Sequence, residues 1–214
     1  STRTGRLLAA HAGMHLKKTV LELGGSNPFI VMPDADLKRA AVEACYSRFR
    51  DAGQSCNAAK RIVVTEAVAD RFIPLFLAEC AKLQTGNPKD PATTLAPLHR
   101  EDLRANVHAQ VQDAVAHGAQ VLTGGFIPEG KGWFYPATVL DKVNPDCRVW
   151  NEEVFGPVAM ILRAKDEEHA VALANDTPYG LGASIYTADT RRAWAFAEKI
   201  QAGSVFINRH TSSD

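Results

Sequence analysis

The 214-residue sequence lacks the features that would direct it to a membrane or to a nucleic acid. Its longest apolar runs, such as 72–77, fall far short of the ~18–20 residues that a membrane span needs, and no signal peptide is visible at the start. Lys plus Arg and Asp plus Glu both number 24, and no long block of like charge suggests a nucleic-acid partner. We therefore expect a cytoplasmic protein that acts on small molecules.

Cysteine is scarce, and its spacing excludes two further classes of protein. The four cysteines are Cys45, Cys56, Cys80 and Cys147. They form no CxxC pair and have no histidine at metal-binding spacing, which argues against a disulfide framework and against a zinc site. We expect four free thiols and no metal, with Cys45 and Cys80 packed in the core on the apolar sides of helices.

Segments with helical and strand-like patterns alternate along the chain, which has enough apolar residues (46 %) to bury a full core. Helices are predicted over 5–18, from a cap at 33–36 to 50, and over 67–83, 101–117, 167–174 and 190–200. Strands are predicted over 19–23, 29–32, 61–65, 120–122, 137–140, 158–162, 183–186 and 204–207. This alternation predicts an α/β fold with a mostly parallel sheet, whose active-site residues usually gather at the carboxyl ends of the strands.

Cys56 is the first candidate for chemistry. It lies in the loop sequence DAGQSCN, where a glycine lets the backbone approach a ligand and open amides could face a developing negative charge. A cysteine in an intracellular protein is nevertheless more often a buried apolar residue than a nucleophile. Position alone leaves both interpretations open.

Two acidic segments are further candidates. Glu22 lies in the β-prone run VLEL beside the Gly24–Gly25 turn, where a carboxylate is costly unless it has a function, although an edge-strand glutamate facing water fits the same pattern. Glu153 lies in NEEVFGP, which alone would be an ordinary surface loop.

Taken together, the three segments resemble the aldehyde dehydrogenase superfamily. Its members carry LELGG around a catalytic glutamate, F-x-x-x-G-Q-x-C around the nucleophile and E-x-F-G-P at the cofactor, and all three occur here in that order with matching spacing. The resemblance implies a three-layer α/β catalytic domain, with helices on both faces of a twisted, mostly parallel sheet. It also implies NAD or NADP as cofactor, a choice that this sequence does not settle.

The resemblance implies that Cys56 attacks the aldehyde carbon, and that Glu22 activates the water that hydrolyses the resulting thioester. The second role calls for a buried carboxylate at Glu22.

Four residues are assigned to the cofactor by the same resemblance. Glu153 would accept hydrogen bonds from the nicotinamide ribose, and Phe155 would pack against that end of the cofactor. Gly25 would line the cofactor slot, and Ser1 would touch the pyrophosphate at a helix N-terminus.

The substrate class is suggested by 47–56 (SRFRDAGQSC) and 208–214 (NRHTSSD), which look most like succinate-semialdehyde dehydrogenases. Arg50 would grip the distal carboxylate of a small semialdehyde, with Ser213 as a second donor. An arginine that merely ends a helix favourably explains Arg50 equally well.

The resemblance divides the chain at residue 22. Residues 1–21 would be the tail of an otherwise missing coenzyme-binding domain, and 22–214 the catalytic domain without its C-terminal oligomerisation arm. A start without Met and an end just after a strand-like run fit a piece of a longer chain. We expect this chain alone to turn over little or nothing, and the full-length enzyme to be a homodimer or homotetramer.

Three alternatives stay open. The chain could serve another aldehyde dehydrogenase substrate class, or it could be a cysteine hydrolase, which would need a histidine oriented on Cys56. It could also be a non-catalytic scaffold or assembly domain that pairs through exposed sheet edges.

Overall fold

The computed structural model describes residues 1–212 as alternating helices and strands around one sheet. The strands are β1 (Asn27–Val31), β2 (Ala59–Thr65), β3 (Gln120–Thr123), β4 (Thr138–Asp141), β5 (Val158–Ala164), β6 (Gly182–Tyr186) and β7 (Ser204–Ile207). The helices are α1 (Thr2–Met14), α2 (Leu37–Phe49), α3 (Glu66–Cys80), α4 (Glu101–Ala116), α5 (Arg148–Asn151), α6 (Glu167–Asn175) and α7 (Thr190–Ala197). A 3₁₀ turn at Arg50–Gly53 follows α2.

The seven strands form a single sheet in the order β3-β4-β5-β2-β1-β6-β7. Every neighbouring pair is parallel except β3 and β4. At the centre, Ile30 of β1 lies between Val63 of β2 and Ile185 of β6. The predicted α/β class and mostly parallel sheet are confirmed.

Helices cover the sheet centre on both faces. Helices α2 and α3 pack against each other and against β2 and β5, while α6 packs against β1, β2 and β5. All residues of β1, β2 and β6 are buried, which requires cover on both sides and produces the near-continuous apolar runs of these strands. Cys45 and Cys80 lie in the core between the helices, as predicted.

The predicted strand at 19–23 is wrong. The segment is irregular and its side chains are mostly exposed, and α1 ends at Met14 rather than at residue 18. Leu16 then adopts a left-handed conformation with φ of +53°. Residues with β propensity form a strand only where a neighbouring strand pairs with them, and 19–23 has no such neighbour among residues 1–212. No helix in this described range is long and apolar enough to cross a membrane.

The active-site candidates lie at the amino ends of the strands, whereas the sequence predicted a site at the carboxyl ends. Cys56 lies just before β2, Glu22 before β1 and Glu153 before β5, so all three are on loops that lead into the amino ends of parallel strands. Parallel strands all begin on the same side of the sheet. The loops that precede the strands therefore lie close together, just as the loops that follow the strands do on the opposite side. The tendency for sites to lie at carboxyl ends does not hold here.

Candidate active site

A tight turn carries the chain from α2 to Cys56. Asp51, Ala52 and Gly53 have φ values of 54°, 53° and 70°, and left-handed backbone costs about 1–3 kcal/mol at each of the two non-glycine positions. A Cβ at Gly53 would overlap with the Arg48 guanidinium and the Gly156 carbonyl. Glycine is therefore required at this point, and the strained turn brings the nucleophile loop to the amino edge of the sheet.

Cys56 is the accessible cysteine of the four. Its residue is partly exposed, whereas Cys45, Cys80 and Cys147 are buried. Burial raises the pKa of the Cys147 thiol, and the neighbouring Cys45 and burial raise that of Cys80. Only Cys56 combines exposure with a position on the wall of a pocket.

The pocket beside Cys56 has a volume of about 420 Å³. Its lining residues are Glu22, Asn27, Cys56, Asn57, Leu181, Gly182, Ser204, Phe206, Thr211 and Ser212. The thiol and the Glu22 carboxylate thus face one space, although Glu22 is exposed and lies on an irregular segment rather than buried on a strand as expected. Within residues 1–212, no histidine lines this pocket, which removes the support for a cysteine hydrolase.

Gly24 and Gly25 allow the segment before β1 to pass close to the nucleophile. A Cβ at Gly25 would lie 2.7 Å from the Cys56 carbonyl oxygen, and one at Gly24 would overlap with the Glu153 carboxylate. The Gly25 amide donates a hydrogen bond of 3.1 Å to Glu153 Oε1. Both glycines are therefore packed directly against their neighbours, Gly24 against the Glu153 carboxylate and Gly25 against the Cys56 carbonyl.

Glu153 is held from several sides. Besides Gly25, the Lys60 ammonium lies 3.4 Å from Glu153 Oε1. The Glu153 amide donates to the Tyr179 hydroxyl at 3.2 Å, and Gln110 Nε2 donates to its carbonyl at 3.3 Å. The carboxylate is therefore fixed beside Lys60, which also contacts the Cys56 carbonyl.

The other two residues predicted to contact the cofactor lie outside the pocket. Phe155 is 37 % exposed, and Ser1 caps α1, where its hydroxyl accepts a hydrogen bond of 3.4 Å from the Thr4 amide. Within residues 1–212, neither side chain lines the space between Cys56 and Glu22.

Arg50 reaches the pocket only through a neighbour. Its guanidinium donates to Asn57 Oδ1 at 3.4 Å, lies 3.9 Å from the Asp51 carboxylate and stacks on the Tyr46 ring. Asn57 lines the pocket and also accepts a hydrogen bond of 2.6 Å from Ser55 Oγ. Ser213, the predicted second donor to a substrate carboxylate, lies outside the described residues.

Four polar residues that sequence reasoning missed support the site. Asn27, at the start of β1, donates to the Asn57 carbonyl at 3.1 Å and accepts from the Gly182 amide at 3.2 Å, and the Thr211 hydroxyl also donates to the Asn57 carbonyl. The buried Arg48 guanidinium donates to the carbonyls of Gly53, Val154 and Gly156, which ties α2 to the loop before β5.

Lys60 is the fourth of these residues, and its side chain is fully buried. Its ammonium donates to the carbonyls of Ser55 at 2.8 Å and Cys56 at 3.1 Å. Burial, reinforced by the charge of Arg48, lowers the pKa of Lys60 to about 7, and Glu153 and Cys56 act in the opposite direction. Burial likewise lowers the pKa of Arg48 to about 9. The sequence feature that could have revealed Lys60 was the pair of basic residues Lys60 and Arg61 inside an otherwise apolar strand.

Comparison with known proteins places the whole chain in one group. The profile of the aldehyde dehydrogenase family matches residues 1–214. A curated relative, the NAD(P)+ succinate semialdehyde dehydrogenase of Escherichia coli, is 47 % identical over 214 residues, which is 100 % of this chain and 46 % of that protein. The chain therefore spans about half the length of the curated relatives that it matches.

Solved structures agree in fold. Succinic semialdehyde dehydrogenase from Streptococcus pyogenes, in complex with NADP+, matches with a TM-score of 0.95 at 39 % identity, covering 100 % of this chain and 47 % of that one. Lactaldehyde dehydrogenase from Escherichia coli matches with a TM-score of 0.95 at 36 % identity, covering 100 % and 45 %. Because the family profile spans every residue and the relatives agree in sequence and in fold, the chain belongs to the aldehyde dehydrogenase family.

Proposed function

We propose that this chain is the catalytic part of an NAD(P)-dependent aldehyde dehydrogenase that oxidises succinic semialdehyde, or a similar small semialdehyde, to the acid. The observation that carries the proposal is the shared pocket, in which the one accessible thiol, Cys56, and the Glu22 carboxylate line the same space. Thiol attack on an aldehyde followed by hydrolysis needs one nucleophile and one base at the same carbon.

In the first step the Cys56 thiolate adds to the aldehyde carbon and forms a thiohemiacetal. The developing oxyanion is stabilised by the Cys56 backbone amide, which the strained turn at Asp51–Gly53 helps to orient. Loss of hydride from this carbon leaves a thioester on Cys56. Glu22 then takes a proton from water, the hydroxide attacks the thioester carbon, and the carboxylic acid leaves as the thiolate is restored.

The residues present fit a bound dinucleotide. Bound NAD(P)+ supplies the hydride acceptor. Gly24 and Gly25 carry no side chain, so the segment before β1 lies directly against Glu153 and Cys56, and Gly25 would line the cofactor slot. Glu153, fixed by Gly25 and Lys60, would accept hydrogen bonds from ribose hydroxyls, and the half-exposed Phe155 ring would pack on that end. Ser1 would contact the pyrophosphate at the start of α1.

The coverage of the relatives supports a longer protein. Residues 1–21 would belong to a coenzyme-binding domain supplied elsewhere in the longer chain, and 22–214 to the catalytic domain. Several apolar side chains of the first segment are exposed, including Leu8, Met14, Leu16 and Val20, as expected if another part of the protein covers them. The same cover would bury Glu22. This chain alone would therefore turn over little, and the intact enzyme would be a homodimer or homotetramer.

Two variants test the chemistry in the intact protein that carries this chain. Cys56→Ala should lower aldehyde oxidation by at least about 10³-fold, because no other thiol reaches the pocket. Glu22→Gln should lower steady-state turnover by roughly 10²–10⁴-fold yet retain a single-turnover burst of NAD(P)H, because hydride loss precedes hydrolysis. Stopped-flow absorbance measures both.

Cys45→Ala is the matched control, since Cys45 lies in the core and should leave the burst and the turnover number unchanged. Full activity in Cys56→Ala would overturn the proposal, and loss of the burst in Glu22→Gln would remove Glu22 from the hydrolytic step.

The carboxylate-bearing substrate is the finer part of the proposal. Arg50 contacts Asn57 on the pocket wall. In this proposal its guanidinium would meet the distal carboxylate of a semialdehyde, with Ser213 as a second donor. Arg50→Ala should therefore lower kcat/KM for succinic semialdehyde by about 10–100-fold more than that for butanal. Equal losses on the two substrates would indicate that Arg50 only supports the loop, and would leave another aldehyde as the substrate.

A further inference from the structure

We infer that Lys60 is a positioning residue for the nucleophile: its buried ammonium holds the loop that carries Cys56 through hydrogen bonds to two backbone carbonyls of that loop. The inference rests on the proposed role of Cys56. It concerns a residue to which neither the motifs nor the proposed mechanism gives a role.

The backbone register explains why the side chain is directed at the site. Strands β1 and β2 pair Asn27 with Ala59 and then Pro28 with Arg61, so the ladder skips Lys60. A skipped residue is a bulge, and bulges commonly redirect a side chain beside an active site. Proline offers no amide to the ladder at this position, which makes the interruption compatible with the sequence.

The contacts of the Lys60 ammonium match its donors. An ammonium has three N–H groups, and three oxygens surround this one: the carbonyl of Ser55 at 2.8 Å, the carbonyl of Cys56 at 3.1 Å and Glu153 Oε1 at 3.4 Å. Two of them belong to the nucleophile and the residue before it. The ammonium therefore fixes the backbone from which the thiol projects.

The charge of Lys60 is maintained at a cost. A fully buried ammonium loses its hydration and is additionally opposed by the buried Arg48 guanidinium. The Glu153 carboxylate lies 3.4 Å from it and favours its protonated form.

Two substitutions separate the charge from the hydrogen bonds. Lys60→Gln removes the charge but keeps an N–H₂ group for the carbonyls, and Lys60→Met removes both at similar length. The readouts are kcat and KM for aldehyde oxidation by the intact protein that carries this chain. Lys38→Met, which removes an exposed lysine, is the matched control.

Lys60→Met should lower kcat by about tenfold relative to wild type and to Lys38→Met, with KM for the aldehyde little changed, because it loses both hydrogen bonds to the loop. Lys60→Gln should recover part of that kcat, because its N–H₂ group can still donate to the carbonyls. A wild-type kcat in folded Lys60→Met overturns the inference. If Lys60→Met does not fold, Lys60→Gln decides: its shorter side chain should lower kcat by a smaller factor, and a wild-type kcat there overturns the inference.

The result is distinguishable from a failure of the proposed function. If Cys56→Ala retains aldehyde oxidation, the proposed chemistry is wrong and the inference falls with it. If Cys56 is essential and the kcat of folded Lys60→Met stays at the wild-type value, only the inference fails.

Discussion

Two of the regions that contain cysteine in this chain differ in what surrounds the sulfur. Between α2 and α3, Cys45 and Cys80 lie in the core with an aromatic stack, in which the Phe72 and Phe76 ring centroids are 5.8 Å apart. At the amino edge of the sheet, Cys56 lies on a strained turn among buried charges and carbonyl groups. Cysteine is a core-packing residue in the first environment and a candidate nucleophile in the second. The backbone conformation and the neighbouring charges therefore decide the role of the cysteine.

The largest expected effect is on the free energy of unfolding, and it should follow only from substitutions in the core. Phe76→Ala removes a fully buried ring and should lower the free energy of unfolding by about 3–5 kcal/mol. Denaturant unfolding measures this loss. Trp194→Ala, at a position that is 68 % exposed, should change it by less than about 0.5 kcal/mol. A small loss at Phe76 would mean that the aromatic stack is loosely packed.

A smaller effect should come from the turn at the edge of the sheet. Gly53→Ala adds a side chain at φ of +70° where it would overlap with Arg48 and Gly156. Gly118→Ala adds one at φ of +93° with open space around it. Gly118→Ala should therefore cost about 1–2 kcal/mol of backbone strain, and Gly53→Ala at least about 1 kcal/mol more.

Denaturant midpoints of the two glycine variants measure this difference. Gly53→Ala should also slow alkylation of Cys56, whereas Gly118→Ala should not, because only Gly53 is on the nucleophile turn. Equal costs at both positions would show that the turn can adjust and that the close approach of Arg48 is not required.

The smallest expected effect is a difference in labelling rate among the cysteines of the wild-type chain. Limiting iodoacetamide at neutral pH should label Cys56 at least about tenfold faster than the three buried cysteines, because they are shielded from the reagent. Peptide mass spectrometry assigns the labelled positions. Uniform labelling would remove the contrast between the two regions, and it is also the result that a pure scaffold would give.

The sequence predicts the framework of this fold well, because the apolar periodicity of the central elements reflects their burial. Strands such as β2 and β5 and helices such as α2 and α4 lie close to their predicted positions. The exception at 19–23 concerns a segment without a pairing partner, and pairing is a property of the fold rather than of the local sequence. The end of the strands at which the site lies was predicted wrongly for the same reason. Local sequence patterns do not reveal whether the loops before the strands or the loops after them form the site.

The site itself was predictable where it follows a motif and unpredictable where it depends on distant contacts. The motifs led to Cys56 and Glu22, which line one pocket. They did not reveal Lys60 or Arg48, whose buried charges bridge elements far apart in the chain, such as α2 and the loop before β5. A charged side chain in an apolar strand signals burial with a partner, but not which partner it meets.

The bulge at Lys60 has a consequence for the precision of the reaction. Beyond it, Phe29 pairs with Ile62 and Ile30 with Val63, so the hydrogen-bond ladder sets how far β2 extends toward the pocket. A slip of the strand by one residue would carry the sulfur roughly 3.3 Å along the strand axis. Misplacements of about 1 Å already slow enzymatic reactions substantially. The pairing register of the sheet therefore determines where the nucleophile lies.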